Sequence, residues 1–365
     1  MPRSTSSALK THSFAVSAAL LTWLSPDVTT QSSPVAAGSP PRFELTLLEV
    51  PDGAFGAATA LNEHGAIAGN VQTDPAGPAL IVHAAFWADG GAAPATVAVP
   101  GLSVVVQPSD IDGTGLVIGN SVTPLGGAFA FTWIPGQDLE PVPATGGVEC
   151  AIAAGINERG VLVGVGGFPA GGLPARWIQG VPHELPLLPG DDYGTALTIS
   201  ESGLIVGSSG GPLTASLATR WFGGAVEHLQ VPGALLSAAL DVNDRGEAVG
   251  VATLSDIPIV GVRWRTTEGV ALPTLGGRQS QARGINNRSW IVGAAELPTP
   301  TGSGPTMHAA LWIGGQVHDL NALIVAPPPG VVLYLAEDVN EAGQIVGVAE
   351  VGGAVRPFLL DPIGD

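Results

Sequence analysis

The stretch SDIDGTGLVIGN, residues 109–120, decides how the whole chain is read. Taken alone it opens like an oxygen-ligand cage, because Asp110, Asp112, Gly113 and Gly115 spell D-x-D-G-x-G. Taken with the rest of the chain it has relatives: ALNEHGAIAG, DIDGTGLVIG, GINERGVLVG, TISESGLIVG, DVNDRGEAVG, GINNRSWIVG and DVNEAGQIVG. Each carries an apolar residue, then Asn, Asp or Ser, two variable residues, and a turn residue that is Gly except at Ser289. A second glycine follows and never fails: Gly69, Gly119, Gly164, Gly207, Gly250, Gly293 and Gly347. Asn in the first turn seat bonds its own backbone, and Gly takes the left-handed conformation, so INERG reads as a hairpin turn with a bulge. DIDGTG holds the same seat, with Asp112 in place of Asn. It also lacks the downstream bidentate Glu of a helix-flanked calcium loop. The hairpin reading therefore displaces the calcium reading.

The turns lie near residues 62–65, 112–115, 157–160, 200–203, 243–246, 286–289 and 340–343, at spacings of 50, 45, 43, 43, 43 and 54. A second landmark follows each turn by 17 to 23 residues, in HAAFW, AFTW, PARW, ATRW, GVRW and HAALW. These segments end at Trp87, Trp133, Trp177, Trp221, Trp264 and Trp312, and Leu360 takes the seat in the last copy. Period-2 apolar runs flank the turns, so one copy is a four-stranded meander. A single such sheet cannot bury both faces, and the recurring Trp is its means of packing on a neighbour. Four strands in about 43 residues match one blade of a β-propeller.

The ends of the chain complete the count. FELTLLEV, residues 43–50, matches a fourth strand but has no blade before it. After Leu360 only DPIGD remains, so the seventh copy lacks its fourth strand. The expected fold is all-β: a seven-bladed propeller over residues 42–365, its ring closed by the N-terminal strand. The alternative, an open β solenoid, does not explain that complementarity.

INERGVLVG, HAALW and LPTLGG together resemble the HAF repeat of extracellular bacterial proteins. The resemblance covers roughly residues 43–361, and its His-Ala-aromatic pattern survives best at residues 83–86 and 308–311. It implies export and a repeat fold. It implies no activity and carries no catalytic residues.

Arg3 and Lys10 precede FAVSAALLTWL, an apolar run too short to span a bilayer, so residues 1–31 are expected to be an export signal and 32–41 a linker. A secreted or periplasmic location follows. The net charge of −18 excludes nucleic acid and anionic membrane as partners. Cys150 is the one cysteine, which excludes an intramolecular disulfide and multi-cysteine zinc. It is expected to be a buried small hydrophobe.

No hydrolase, zincin or P-loop motif is present. Two constellations remain. Two residues before the turn seat, Asp110, Asp241 and Asp338 occupy equivalent positions and can face the channel as a weak ligand site. Their competing role is to accept backbone N–H bonds between blades. Four residues before it, Ala58, Ala153, Ala196, Ala239, Ala282 and Ala336 are expected at a crowded axis. The second constellation is on the rim, where Asp191, Asp192 and Tyr193 lie on one blade connection and Arg278 on another. His183, His228 and His318 are expected in loops before fourth strands. No cofactor and no metal are expected, calcium at the axial carboxylates being the one candidate. The composite expectation is a monomeric binding or interaction module for an unidentified protein or glycan. The alternatives are a hydrolase or lyase acting on polysaccharide or lactone at the channel, and a structural cell-surface protein.

Overall fold

A computed structural model describes residues 39–72, 82–88, 90, 93–97, 105–122, 128–143, 151–166, 172–212, 214–298 and 304–364. The expected leader, most of the linker, and Cys150 lie outside these residues. The described chain is all-β apart from one short helix, Leu320–Leu323, capped by the Asp319 side chain. No helical periodicity in the residue pattern announces that helix. It occupies part of the longest spacing, between copies six and seven. Among the described residues, no helix is long and apolar enough to cross a membrane.

The expected copies fold as antiparallel meanders. Copy four is typical, with strands Tyr193–Ile199, Ile205–Gly211, Thr214–Phe222 and Ala225–His228 paired in that order. Copies one and two share one sheet through a single parallel bridge, Val82↔Val105. In copy seven the order is Val331–Val339, Ile345–Val351, Ala354–Ile363 and then Arg42–Leu47. The N-terminal strand thus pairs antiparallel with the last strand, in a register that sets Glu44 opposite Asp361. The first strand of each copy touches the first strand of the next, and that of copy seven touches that of copy one.

The turn chemistry is as the residue types require. Asn62 Oδ1 accepts from the His64 and Ala66 N–H groups at 3.0 and 2.9 Å, and Gly65 sits at φ +81°. Asp112 Oδ1 does the same for Thr114 and Leu116 at 2.9 and 3.0 Å. Ser289 adopts φ +59° where the other copies have Gly. Each seat also reaches sideways. The side-chain amides of Asn62, Asn157, Asn243, Asn286 and Asn340 donate to the carbonyls of Asp112, Ser200, Asn286, Asn340 and Asn62, at 2.9 to 3.3 Å. Asp112 and Ser200 have no amide to give, so the ladder skips two seams.

The tryptophans bind copies together. Trp221 packs on Val163 of the preceding copy, and its indole N–H donates to Pro186 O at 2.6 Å. Trp87, Trp177, Trp264 and Trp312 donate likewise to Glu49, Pro143, Gln230 and Pro273. Trp87 of copy one packs on Val346 and Leu359 of copy seven.

Every first strand carries a β-bulge at one seat, between Ala58/Ala60, Pro108/Asp110, Ala153/Gly155, Ala196/Thr198, Ala239/Asp241, Ala282/Gly284 and Ala336/Asp338. The bulge explains the unfailing second glycine. A Cβ on Gly207 would lie 1.9 Å from Thr195 O, and a Cβ on Gly164 would lie 1.8 Å from Ile152 O. The remaining five meet the matching carbonyl at 2.0 to 2.4 Å, so only Gly fits opposite the bulge. The alanines expected at the axis are fully buried, as Ala58 is against Trp87, and of the six only Ala153 borders the axial space.

Candidate functional site

A bulge adds a residue to a strand and re-aims its side chain. Here the added residues are Thr59, Ser109, Ala154, Leu197, Leu240, Arg283 and Glu337. All seven line one cavity of about 530 Å³ that is walled by every copy in turn. Gln107 and Ile152 extend its wall, and Asp110, Asp241 and Asp338 line it as well. The structure therefore gathers the three expected carboxylates into one space.

Their oxygens are already engaged. Asp110 accepts from the Ile111 and Ile156 N–H groups at 2.8 and 2.9 Å. Asp241 accepts from Val242 and Ile285 at 2.7 Å each. Asp338 accepts from Val339 and Leu61 at 2.7 and 2.8 Å. In each case one donor follows the Asp in its own strand and the other belongs to the next copy. The equivalent seat in that next copy is Gly155, Gly284 or Ala60. Burial pushes the three acids up, to about 8 for Asp110, about 6 for Asp241 and about 7 for Asp338. The backbone donors oppose that shift, and the mutual charge of the acids adds to it at Asp110 and Asp338. The side chains still reach the cavity surface, so part of each carboxylate faces the space it lines.

Arg283 and Glu337 differ from the three acids. They form an ion pair at 3.5 Å, from Nε to Oε2, too long for a hydrogen bond. Among the described residues neither side chain makes a hydrogen bond, and the Arg283 Nε is shielded from solvent without an acceptor. Burial raises the Glu337 carboxyl, with Arg283 opposing. Across the cavity, Ile152, Leu197 and Leu240 form an apolar wall, while Thr59, Gln107 and Ser109 add hydroxyl and amide groups. Sequence reasoning passed over this seat. Its signal was internal variety: the seat before it is Ala in six copies and Pro in one, whereas this one runs Thr, Ser, Ala, Leu, Leu, Arg, Glu.

The rim residues are held by their own loops. Asp191 accepts from Ser209 Oγ at 2.6 Å and Thr214 Oγ1 at 2.7 Å, and the Asp192 N–H donates to Gly210 O. Tyr193 begins the first strand of copy four, opposite Gly210. Arg278 donates through its guanidinium to Asp256 O at 2.6 Å, and its bonds do not reach the Asp191 loop. His183, His228 and His318 lie within fourth strands rather than before them. Burial lowers His228 and His318, and His308 pairs with Asp319 at 2.7 Å. Among the described residues, no three His, Cys, Asp or Glu side chains group as metal ligands.

With this geometry in hand, comparison with solved structures bears on the fold. The β-propeller domain of the Trilobed protease from Pyrococcus furiosus aligns over 85% of this chain and 98% of its own, at 11% identity and a TM-score of 0.52. The chain has a β-propeller fold. Fainter likenesses include TolB from Acinetobacter baumannii (12% identity, 86% of this chain, 65% of that one, TM-score 0.44). Another is a gluconolactonase from Xanthomonas campestris (12% identity, 68% of this chain, 82% of that one, TM-score 0.39). No family model matches the propeller, and no curated protein sequence matches it either.

Proposed function

We propose that the chain is an exported, seven-bladed propeller of the HAF-repeat kind, closed by its N-terminal strand, and that it works as a binding module with its ligand in the axial cavity. Closure is supported by the pairing of Arg42–Leu47 with Ala354–Ile363, and by the Asn340 amide on Asn62 O. Export rests on the basic and apolar character of residues 1–24 and on the HAF resemblance.

One observation carries the binding reading: seven variable side chains from seven equivalent bulges meet around one cavity, and of them only Thr59 and Ser109 hydrogen-bond to the scaffold among the described residues. Its volume falls in the range of small-molecule sites, about 300–1,000 Å³. The hydrolase reading relied on Asp110, Asp241 and Asp338 as reacting groups. Backbone N–H donors on all six oxygens speak against that role.

A thermal-shift screen of the full chain against metabolites and glycans tests the reading, with Ala154→Phe as a variant that plugs the cavity. Hits should raise the midpoint of the unplugged protein only. Hits that stabilise both proteins equally would move the site to the rim loops.

A further inference from the structure

The cavity wall is divided, and the division identifies what it takes. On one side Ile152, Leu197 and Leu240 present aliphatic surface. On the other, Arg283 and Glu337 stand side by side, one a fork of donors and the other a pair of acceptors, and neither makes a hydrogen bond among the described residues. The Arg283 Nε, shielded from solvent without an acceptor, costs free energy until something pairs with it, and the rest of the pair is open to the cavity. A group that donates and accepts at once pairs with both.

The charges narrow the choice. The cavity holds the carboxylates of Asp110, Asp241, Asp338 and Glu337 against the single guanidinium of Arg283. As these acids ionise, the surplus of negative charge repels an anion; where burial keeps them protonated, they remain neutral hydrogen-bonding groups. A hydroxyl group is neutral, donates a hydrogen bond to Glu337 and accepts one from Arg283. Further hydroxyls find Thr59, Ser109 and Gln107, and the cavity-facing part of the aspartates. The aliphatic wall then needs a ligand with a C–H face opposite its hydroxyl edge.

We infer that the axial cavity binds a neutral saccharide of one or two rings, with adjacent hydroxyls bridging Arg283 and Glu337 and a C–H face on Leu197 and Leu240. This inference rests on the axial site proposed above and adds the class of its ligand.

The probe is the full chain with labelled methyl groups, titrated with glucose, galactose, mannose, N-acetylglucosamine, maltose and cellobiose, and with leucine as a zwitterionic comparison. At least one sugar should shift the Leu197 and Leu240 methyl signals and saturate. Arg283→Met and Glu337→Gln should each weaken that binding about tenfold or more, the range for a charge-assisted hydrogen bond. Both variants should keep the methyl spectrum of the folded protein away from the cavity. Three results overturn the inference. If leucine shifts these methyls and no sugar does, the ligand class is wrong and the axial site stands. If sugars bind but shift only methyls outside the cavity, the axial site itself fails. If no sugar binds at millimolar concentration, the saccharide inference falls, and the screen with the Ala154→Phe plug still decides the site.

Discussion

Restoring the two missing rungs of the asparagine ladder should stabilise the protein. At five seams a buried amide reaches the next copy's carbonyl at 2.9 to 3.3 Å. At the other two, Asp112 and Ser200 hold the same buried seat without an amide to donate across the seam. Asp112→Asn keeps the oxygen that accepts from Thr114 and Leu116, and supplies an amide for Asn157 O. Ser200→Asn supplies one for Asn243 O and gives up the contact with Ser202 Oγ. A typical intramolecular hydrogen bond contributes about 0.5–1.5 kcal/mol net, so the double variant should gain about 1–3 kcal/mol. Unfolding entropy near 2.1 cal/mol/K per residue gives roughly 0.7 kcal/mol/K for a domain of about 320 residues. The expected rise in Tm by calorimetry is therefore about 1.5–4.5 °C. Asn243→Asp is the reverse experiment. It removes a rung and buries a charge, and it should cost about 1–3 kcal/mol. A double variant that melts lower than the parent would refute the equivalence of these seats, and with it the reading of DIDGTG as the same turn as GINERG.

Other outcomes follow from the bulge and the buried acids. Gly207→Ala places a Cβ 1.9 Å from a backbone carbonyl and should cost more than about 3 kcal/mol in urea unfolding, because neither backbone can yield. Gly203→Ala, at φ +87° with open space around it, should cost only about 1–2 kcal/mol; equal costs would remove the steric account of the second glycine. Asp110, Asp241 and Asp338 are raised by burial, so folding favours their protonated forms. Their contribution is complete below the unfolded value near pH 4 and is lost as pH climbs through about 6, 7 and 8. Tm should drop between about pH 5 and pH 8.5, and Asp110→Asn should flatten that drop while lowering the midpoint at pH 5, since one backbone N–H loses its acceptor. An unchanged slope in the variant would mean that Asp110 is ionised throughout.

The repeat, the turn and the Trp seat were legible because they depend on local chemistry that any copy displays. The N-terminal strand was legible too, as a fourth strand with no blade of its own. The bulge was not. It adds one residue to a strand without changing the residue types around it, and only the carbonyl lying over Gly207 and its equivalents reveals it. The bulge sets the cavity-lining seat one residue beyond the alanines expected at the axis, of which only Ala153 borders the cavity, and so brings in Arg283 and Leu240. Asp110, Asp241 and Asp338 were legible as a group, with the backbone-acceptor role set above that of channel ligand. The choice between channel group and backbone acceptor depended on where the next copy's N–H groups lie, a fact of tertiary geometry. The helix Leu320–Leu323 escaped for a different reason: four residues are too few to show helical periodicity.

The ring itself is tested most directly by locking it shut. In a Cys150→Ser background, Glu44→Cys and Asp361→Cys place two thiols on directly opposed residues of the first and last strands. Opposed residues lie within disulfide reach, with Cα atoms about 4.5–5.5 Å apart. The account predicts one intramolecular disulfide, found by mass spectrometry of unreduced peptides, and a Tm that falls when reductant is added. The gain could reach about 5 kcal/mol for so long a loop in the chain-entropy picture. Thiols that stay free under oxidising conditions, or that pair only between molecules, would contradict a ring closed by its N-terminal strand.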